Sequence, residues 1–245
     1  MLGGSSRFGC QGALATTFVL IHGAGDSGWY WHLVEEELRT LGHDTVAPDL
    51  PVERSPTLIE CADAVVRAVG NPSAPVAVVA QSFGSFVGPL VAERLPTQVL
   101  VLVAGMVPAP GEPPDAWWEN TGYAEAVREQ AAVDGGLTGN EDPFISFFHD
   151  VPRPLAEEAM RRERHGSIVG LDAPWPLDSW PTVTTRFVLC SEDRFFPDAF
   201  SRRVVAERLG IVADEIESGH CVALSRPAEL AVMLDGYVAG RHPGT

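Results

Sequence analysis

A serine becomes a nucleophile when a base takes its proton and a third group holds that base. Ser82 stands where such a nucleophile would be exposed. It follows the apolar run Val76-Ala-Val-Val-Ala80, within Ala80-Gln-Ser-Phe-Gly84, and a helical pattern starts at once. A buried strand that breaks sharply into a helix presents its turn residue at the strand's end, beside a helix N-terminus. Small residues at 80 and 84 suit a strained turn that other backbone passes closely. Asp193 comes three residues after the run Arg186-Phe-Val-Leu-Cys190, and His220 three residues after Asp214–Glu217. Parallel sheets gather their reactive groups just past the carboxyl ends of strands. In this reading Ser82 attacks a carbonyl, His220 takes its proton and Asp193 fixes the imidazole tautomer, with Glu192 as the competing acid.

Attack on a carbonyl builds an oxyanion, which needs preorganised N–H donors. The backbone N–H of Phe83, first in the helix after the turn, is one. The loop after the first strand, His22-Gly23-Ala24-Gly25, supplies the other from Ala24. Gly23 and Gly25 let that loop turn inward. His22 is expected to pin it by hydrogen bonds rather than serve as the base.

The elements that position these groups follow from periodicity. Thr17–Ile21, Asp44–Ala47, Val76–Ala80 and Val99–Ala104 read as strands, the longer ones apolar on both faces. Helices alternate with them: one carries Trp31, Val34, Leu38 and Leu41 on its apolar face, and one opens on the capping box Thr57-Leu-Ile-Glu60. The helix after Ser82 is expected to bend at Pro89. The rhythm then stops. Residues 107–182 are rich in proline and tryptophan and show only short helical patches, so they read as a cap inserted into a core of 15–106 and 183–245. It resumes with the strand Arg186–Cys190, the helix Pro197–Leu209, the strand Asp214–Glu217 and a closing helix from Pro227 with Leu230, Val232, Leu234 and Val238. The predicted fold class is α/β, a mostly parallel sheet of about six strands with helices on both faces. Residues 1–14 read as a disordered leader. Within the cap, Trp117, Phe144, Phe148, His149 and Trp175 either line an apolar acyl or alcohol pocket, with Trp118 and Phe147, or pack the lid itself.

Composition excludes several classes. The formal charge is −16, which disfavours nucleic acid and anionic membrane surfaces as partners. All 17 basic residues are arginine. Without lysine there is no Schiff base and no Walker A phosphate lysine. The four cysteines show no metal-binding spacing, so free thiols in a reducing compartment, cytoplasmic by default, are expected. No metal or cofactor is called for. The partner is a small-molecule ester, and the chain is read as a monomer or homodimer.

The stretches Phe18-Val-Leu-Ile-His-Gly-Ala-Gly, Trp29-Tyr-Trp31, Leu41-Gly-His43, Ala47-Pro-Asp-Leu50, the Ser82 turn, Cys190-Ser-Glu-Asp193 and Gly219-His220 resemble the plant methylesterase and hydroxynitrile lyase branch of the α/β-hydrolase superfamily, with its small bacterial esterase relatives. The order Ser82, Asp193, His220 is the order of that fold. The resemblance covers about residues 17–238. It implies an α/β-hydrolase fold with a lid over the triad, and cofactor-free ester hydrolysis. The lyases carry threonine where Gly23 stands and lysine where Cys221 stands, so the resemblance favours the esterases. The apolar cap points to an apolar or aromatic ester. A lactonase, carbon–carbon hydrolase or biosynthetic cyclase on the same scaffold is the alternative, and a non-catalytic ligand-binding protein the more distant one.

Overall fold

The computed structural model describes residues 15–241. The expected leader and Cys10 lie outside these residues. Six strands, β1 (Thr17–Ile21), β2 (Asp44–Val46), β3 (Val76–Gln81), β4 (Thr97–Val103), β5 (Thr184–Cys190) and β6 (Asp214–Ile216), form one sheet. Their order is β2-β1-β3-β4-β5-β6, and every pairing is parallel. This is the sheet expected from the sequence. The chain runs from β1 outward to β2, then crosses back to β3 on the other side of β1. That reversal leaves a crevice between the carboxyl ends of β1 and β3, where ligands bind in doubly wound sheets.

Helices cover both faces because the strands are apolar on both. Val76, Val78 and Ala80 face one core, with α2 (Leu58–Val69), α3 (Gly88–Ala92) and, further along, α8 (Asp198–Leu209). Ala77 and Val79 face the other, with α1 (His32–Thr40) and α10 (Pro227–Val238). The two-residue pleat alone divides neighbouring side chains between the cores. Thr57 caps α2 as predicted: its side chain accepts from the Glu60 N–H, and the Glu60 carboxylate accepts from the Thr57 N–H.

Three helical expectations change. Leu41 is exposed, because α1 ends at Thr40 and only Val34 and Leu38 of its predicted stripe are buried within the helix. Val232 also faces solvent; α10 buries Leu230, Ala231, Leu234 and Tyr237 instead. Pro89 does not bend a helix. The chain leaves Ser82 as a 3-10 turn through Phe86, and α3 begins afresh at Gly88, so Pro89 falls in a first turn, where no intrahelical N–H is lost.

Between β4 and β5 the described chain is helix and loop: α4 (Trp117–Asn120), α5 (Tyr123–Asp134), α6 (Pro143–Ser146) and α7 (Arg153–Arg161) precede an irregular return to β5. A last short helix, α9 (Val222–Ser225), follows His220. Among the described residues no helix is long and apolar enough to cross a membrane.

Candidate active site

β3 delivers Ser82 into a left-handed conformation with φ 49°, rare for any residue with a side chain. The surrounding structure fixes that strain from several sides. The Ser82 carbonyl accepts from the Met106 N–H at 3.1 Å. Ser85 is wholly buried and its hydroxyl donates to the Ala80 carbonyl at 3.2 Å. A Cβ on Gly84 would lie 2.6 Å from the His22 carbonyl oxygen, so the turn presses against the loop after β1.

β5 and β6 deliver the other two groups. His220 Nδ1 lies 2.7 Å from Asp193 Oδ2, and both side chains are buried. Asp193 Oδ1 accepts the backbone N–H groups of Phe195 at 2.7 Å and Phe196 at 3.0 Å. With the carboxylate ionised, His220 carries its proton on Nδ1, leaving Nε2 as the basic nitrogen. The rings of Phe147, Phe195 and Phe196 surround the imidazole with centroids 5.1–5.4 Å away. Glu192 is exposed, and its carbonyl accepts from the His149 ring rather than its carboxylate reaching His220.

His22 ties the β1 loop down. Its Nδ1 lies 2.8 Å from the Gly23 carbonyl, and its Nε2 accepts the Leu50 N–H at 3.1 Å. Those two bonds require the neutral Nδ1–H tautomer. Burial pushes the His22 pKa down to about 4, which keeps it neutral.

A cavity of about 390 Å³ opens on these groups. Ser82 and His220 line it, as do Gly23, Ala24 and Gly25. Phe83 packs its ring on the core, while its amide lies in the first turn after Ser82. Of the seven cap residues considered for the pocket, Phe147 and Phe148 line the cavity. Trp117 and Trp175 are buried in the core instead, their indole N–H groups donating to the carbonyls of Val107 and Phe86. Phe144 lies under the guanidinium of Arg153. His149 borders a separate hollow beside Glu192 and Asp193. Cys221 lines the cavity, but burial pushes its thiol well up and so keeps it protonated and unreactive. Cys61, Cys190 and Cys221 are free and buried.

Sequence reasoning did not single out Asp26, Gln81, Glu141, Glu163 or Asp150. The first four line the cavity. Burial pushes the Asp26 carboxyl up to about 7, with His220 opposing the rise and Glu163 adding to it. Asp150, from the cap, accepts the Gly219 N–H at 2.8 Å and lies 3.1 Å from the Ser218 hydroxyl, so it holds the loop that carries His220. An aspartate beside a glycine loop was the available signal for Asp26; nothing in the sequence marks the others.

The alpha/beta hydrolase family matches residues 18–232. The chain belongs to the alpha/beta hydrolase family. Among the relatives of this hydrolase, norfluorocurarine synthase 1 of a Strychnos species is 23% identical over 91% of this chain and 95% of that protein. Polyneuridine aldehyde esterase of Rauvolfia serpentina is 25% identical over 89% and 93%. A crystal structure of polyneuridine aldehyde esterase superposes on this hydrolase with a TM-score of 0.74, covering 91% of this chain and 99% of that one at 22% identity. Methylesterase 3 of Arabidopsis thaliana is 25% identical over 88% and 93%. This α/β hydrolase thus falls with the plant methylesterase branch that its motifs resemble.

Proposed function

We propose that the protein is a serine hydrolase that cleaves small carboxylic esters through an acyl-enzyme on Ser82. The observation that carries this reading is the 2.7 Å contact of His220 Nδ1 with Asp193, beside a strained Ser82 that lines the same cavity. Ser82 Oγ attacks the ester carbonyl as His220 Nε2 takes its proton. The N–H groups of Ala24 and Phe83 receive the oxyanion, and the collapse of the tetrahedral intermediate passes that proton to the leaving alcohol. Water, deprotonated by His220, then attacks the acyl-enzyme and releases the acid. Asp193 keeps the imidazole in the Nδ1–H tautomer throughout. Intact-mass measurement after treatment with a fluorophosphonate tests the nucleophile: one adduct, absent in Ser82→Ala, is expected. A panel of methyl, aryl and longer acyl esters tests the substrate class. Full esterase activity in Ser82→Ala would end the proposal.

The synthase name of one relative favours a second reading, in which the same groups serve a lactone opening, a carbon–carbon cleavage or a cyclisation. Turnover of lactones or β-keto acids with none of linear esters would select it.

A further inference from the structure

The wall of the Ser82 cavity carries three carboxyl groups, Asp26, Glu141 and Glu163, and three phenylalanines, Phe147, Phe148 and Phe195. Among the described residues no arginine lines it. The arginines beside Glu163 are engaged elsewhere, Arg162 with Glu158 and Arg164 with Glu53. Glu163 itself lies against the oxyanion loop, its Oε1 3.4 Å from where a Cβ on Gly25 would stand.

A buried amide borders the same wall. Gln81 is 2% exposed and lines the cavity beside Ser82. Its Nε2 donates to the His220 carbonyl at 3.4 Å, which orients the amide, and its Oε1 is buried with no partner. A buried acceptor without a donor is costly. Beside that sealed amide the cavity offers carboxylates and aromatic side chains, which is the recognition chemistry of an ammonium group.

We infer that the substrate is an ester bearing a cationic amine or quaternary ammonium group, held by Asp26, Glu141, Glu163 and the three phenylalanines while Ser82 attacks its carbonyl. This rests on the ester-hydrolase reading and narrows it. The phenylalanines and the carboxylates share the cavity wall with Ser82 and His220. The net charge of −16 draws such substrates in and repels carboxylate products.

Isosteric ester pairs test it. Acetylcholine is compared with 3,3-dimethylbutyl acetate, and methyl 4-(trimethylammonio)butanoate with methyl 5,5-dimethylhexanoate, placing the charge on either side of the ester. The cationic member of at least one pair should show kcat/KM about tenfold higher than its neutral twin. That ratio should fall towards one in Glu163→Gln combined with Asp26→Asn, and with added salt. Hydrolysis of the neutral esters with a ratio of one or below in both pairs overturns the inference and leaves the esterase reading intact. Absence of all hydrolysis and of fluorophosphonate labelling counts against the esterase reading alone. The inference is then decided by calorimetry with benzyltrimethylammonium on the Ser82→Ala protein, where binding lost in the double variant upholds it and no binding overturns it.

Discussion

The methyl of Ala80 fills the space that a side chain on Gly88 would need: a Cβ there would lie 2.7 Å from it. The strand before Ser82 and the helix after it thus meet through one methyl and one bare backbone. The position two before Ser82 tolerates alanine because Gly88 yields the room. Gly88→Ala should destabilise the fold by about 1–3 kcal/mol, as overpacking a tight contact does. Ala80→Gly should recover much of that loss in the double variant. Denaturant midpoints of the four proteins read the coupling, and additive effects would show that the two positions are independent.

Asp193→Asn preserves shape but supports the wrong tautomer of His220. On the proposed mechanism kcat should fall by about 10³–10⁴, with far-ultraviolet circular dichroism unchanged. Glu192→Gln should leave kcat within a factor of about two, since Glu192 is exposed and is held through its backbone N–H and carbonyl, which the substitution keeps.

Gly23→Ala places a Cβ 2.4 Å from Gln81 Oε1 and 3.2 Å from Ser82 Cβ. The buried Gln81 amide, the Ser82 side chain or the loop that carries Ala24 must shift, and each shift disturbs the oxyanion site proposed above. A fall in kcat of about 10²–10³ is expected, with a smaller change in KM. Ester kinetics check this, and an unchanged kcat would remove Ala24 from the oxyanion site.

His22, which is buried, and Asp26, which is half-buried in the cavity wall, give stability opposite pH dependences. His22 has its folded pKa depressed to about 4, below the ordinary 6.5. The stability held by its neutral form is full above pH 6.5 and is lost as pH falls towards 4, a loss on the order of 3 kcal/mol. Asp26 is raised from 3.8 to about 7, with His220 and Glu163 facing it and Tyr30 and Cys221 within its field. Its contribution is full below pH 3.8 and is lost as pH rises through 7. Asp26→Asn should therefore raise Tm more at pH 8 than at pH 4. Imidazole ¹⁵N resonances should show His22 neutral and protonated on Nδ1 down to about pH 4. A Tm difference for Asp26→Asn that is flat with pH would contradict the burial of its charge.

Asp150 positions rather than reacts. Asp150→Ala frees the Gly219 N–H, takes one partner from the Ser218 hydroxyl, which keeps Ser225, and loosens the loop before His220. A fall in kcat of about ten- to a hundredfold is expected, with KM nearly constant. Asp150→Asn, which keeps an acceptor oxygen, should recover part of it. Equal losses in KM would place Asp150 in substrate binding instead.

How far these features were legible in the sequence depends on what carried the signal. β1 was read to the residue because every side chain from Phe18 to Ile21 is fully buried, so apolarity marks its extent. The pairing of Asp193 with His220 followed from strand ends and chain order, which local pattern records. Pro89 was misplaced because apolar spacing does not reveal that the turn after Ser82 is 3-10. The fates of Trp117 and Trp175 were hidden for another reason. A tryptophan's direction depends on where its N–H finds an acceptor, and the carbonyls of Val107 and Phe86 lie on other elements. Glu141 and Glu163 look like ordinary surface acids until the fold closes a cavity beside them.

Arg164 has a consequence for how such a scaffold could change over generations. Its N–H donates to the Gly25 carbonyl at 2.8 Å, and its guanidinium holds Glu53 and the Leu50 carbonyl, while the Leu50 N–H reaches His22. The segment returning from the cap and the loop assigned to the oxyanion are therefore one hydrogen-bonded unit. A cap transplanted from a relative brings its own residue at 164, and with it a new placement of the Ala24 amide. Substrate range and rate are inherited together here, so a graft that carries residues 50–53 along with the cap should retain turnover that the cap alone would lose.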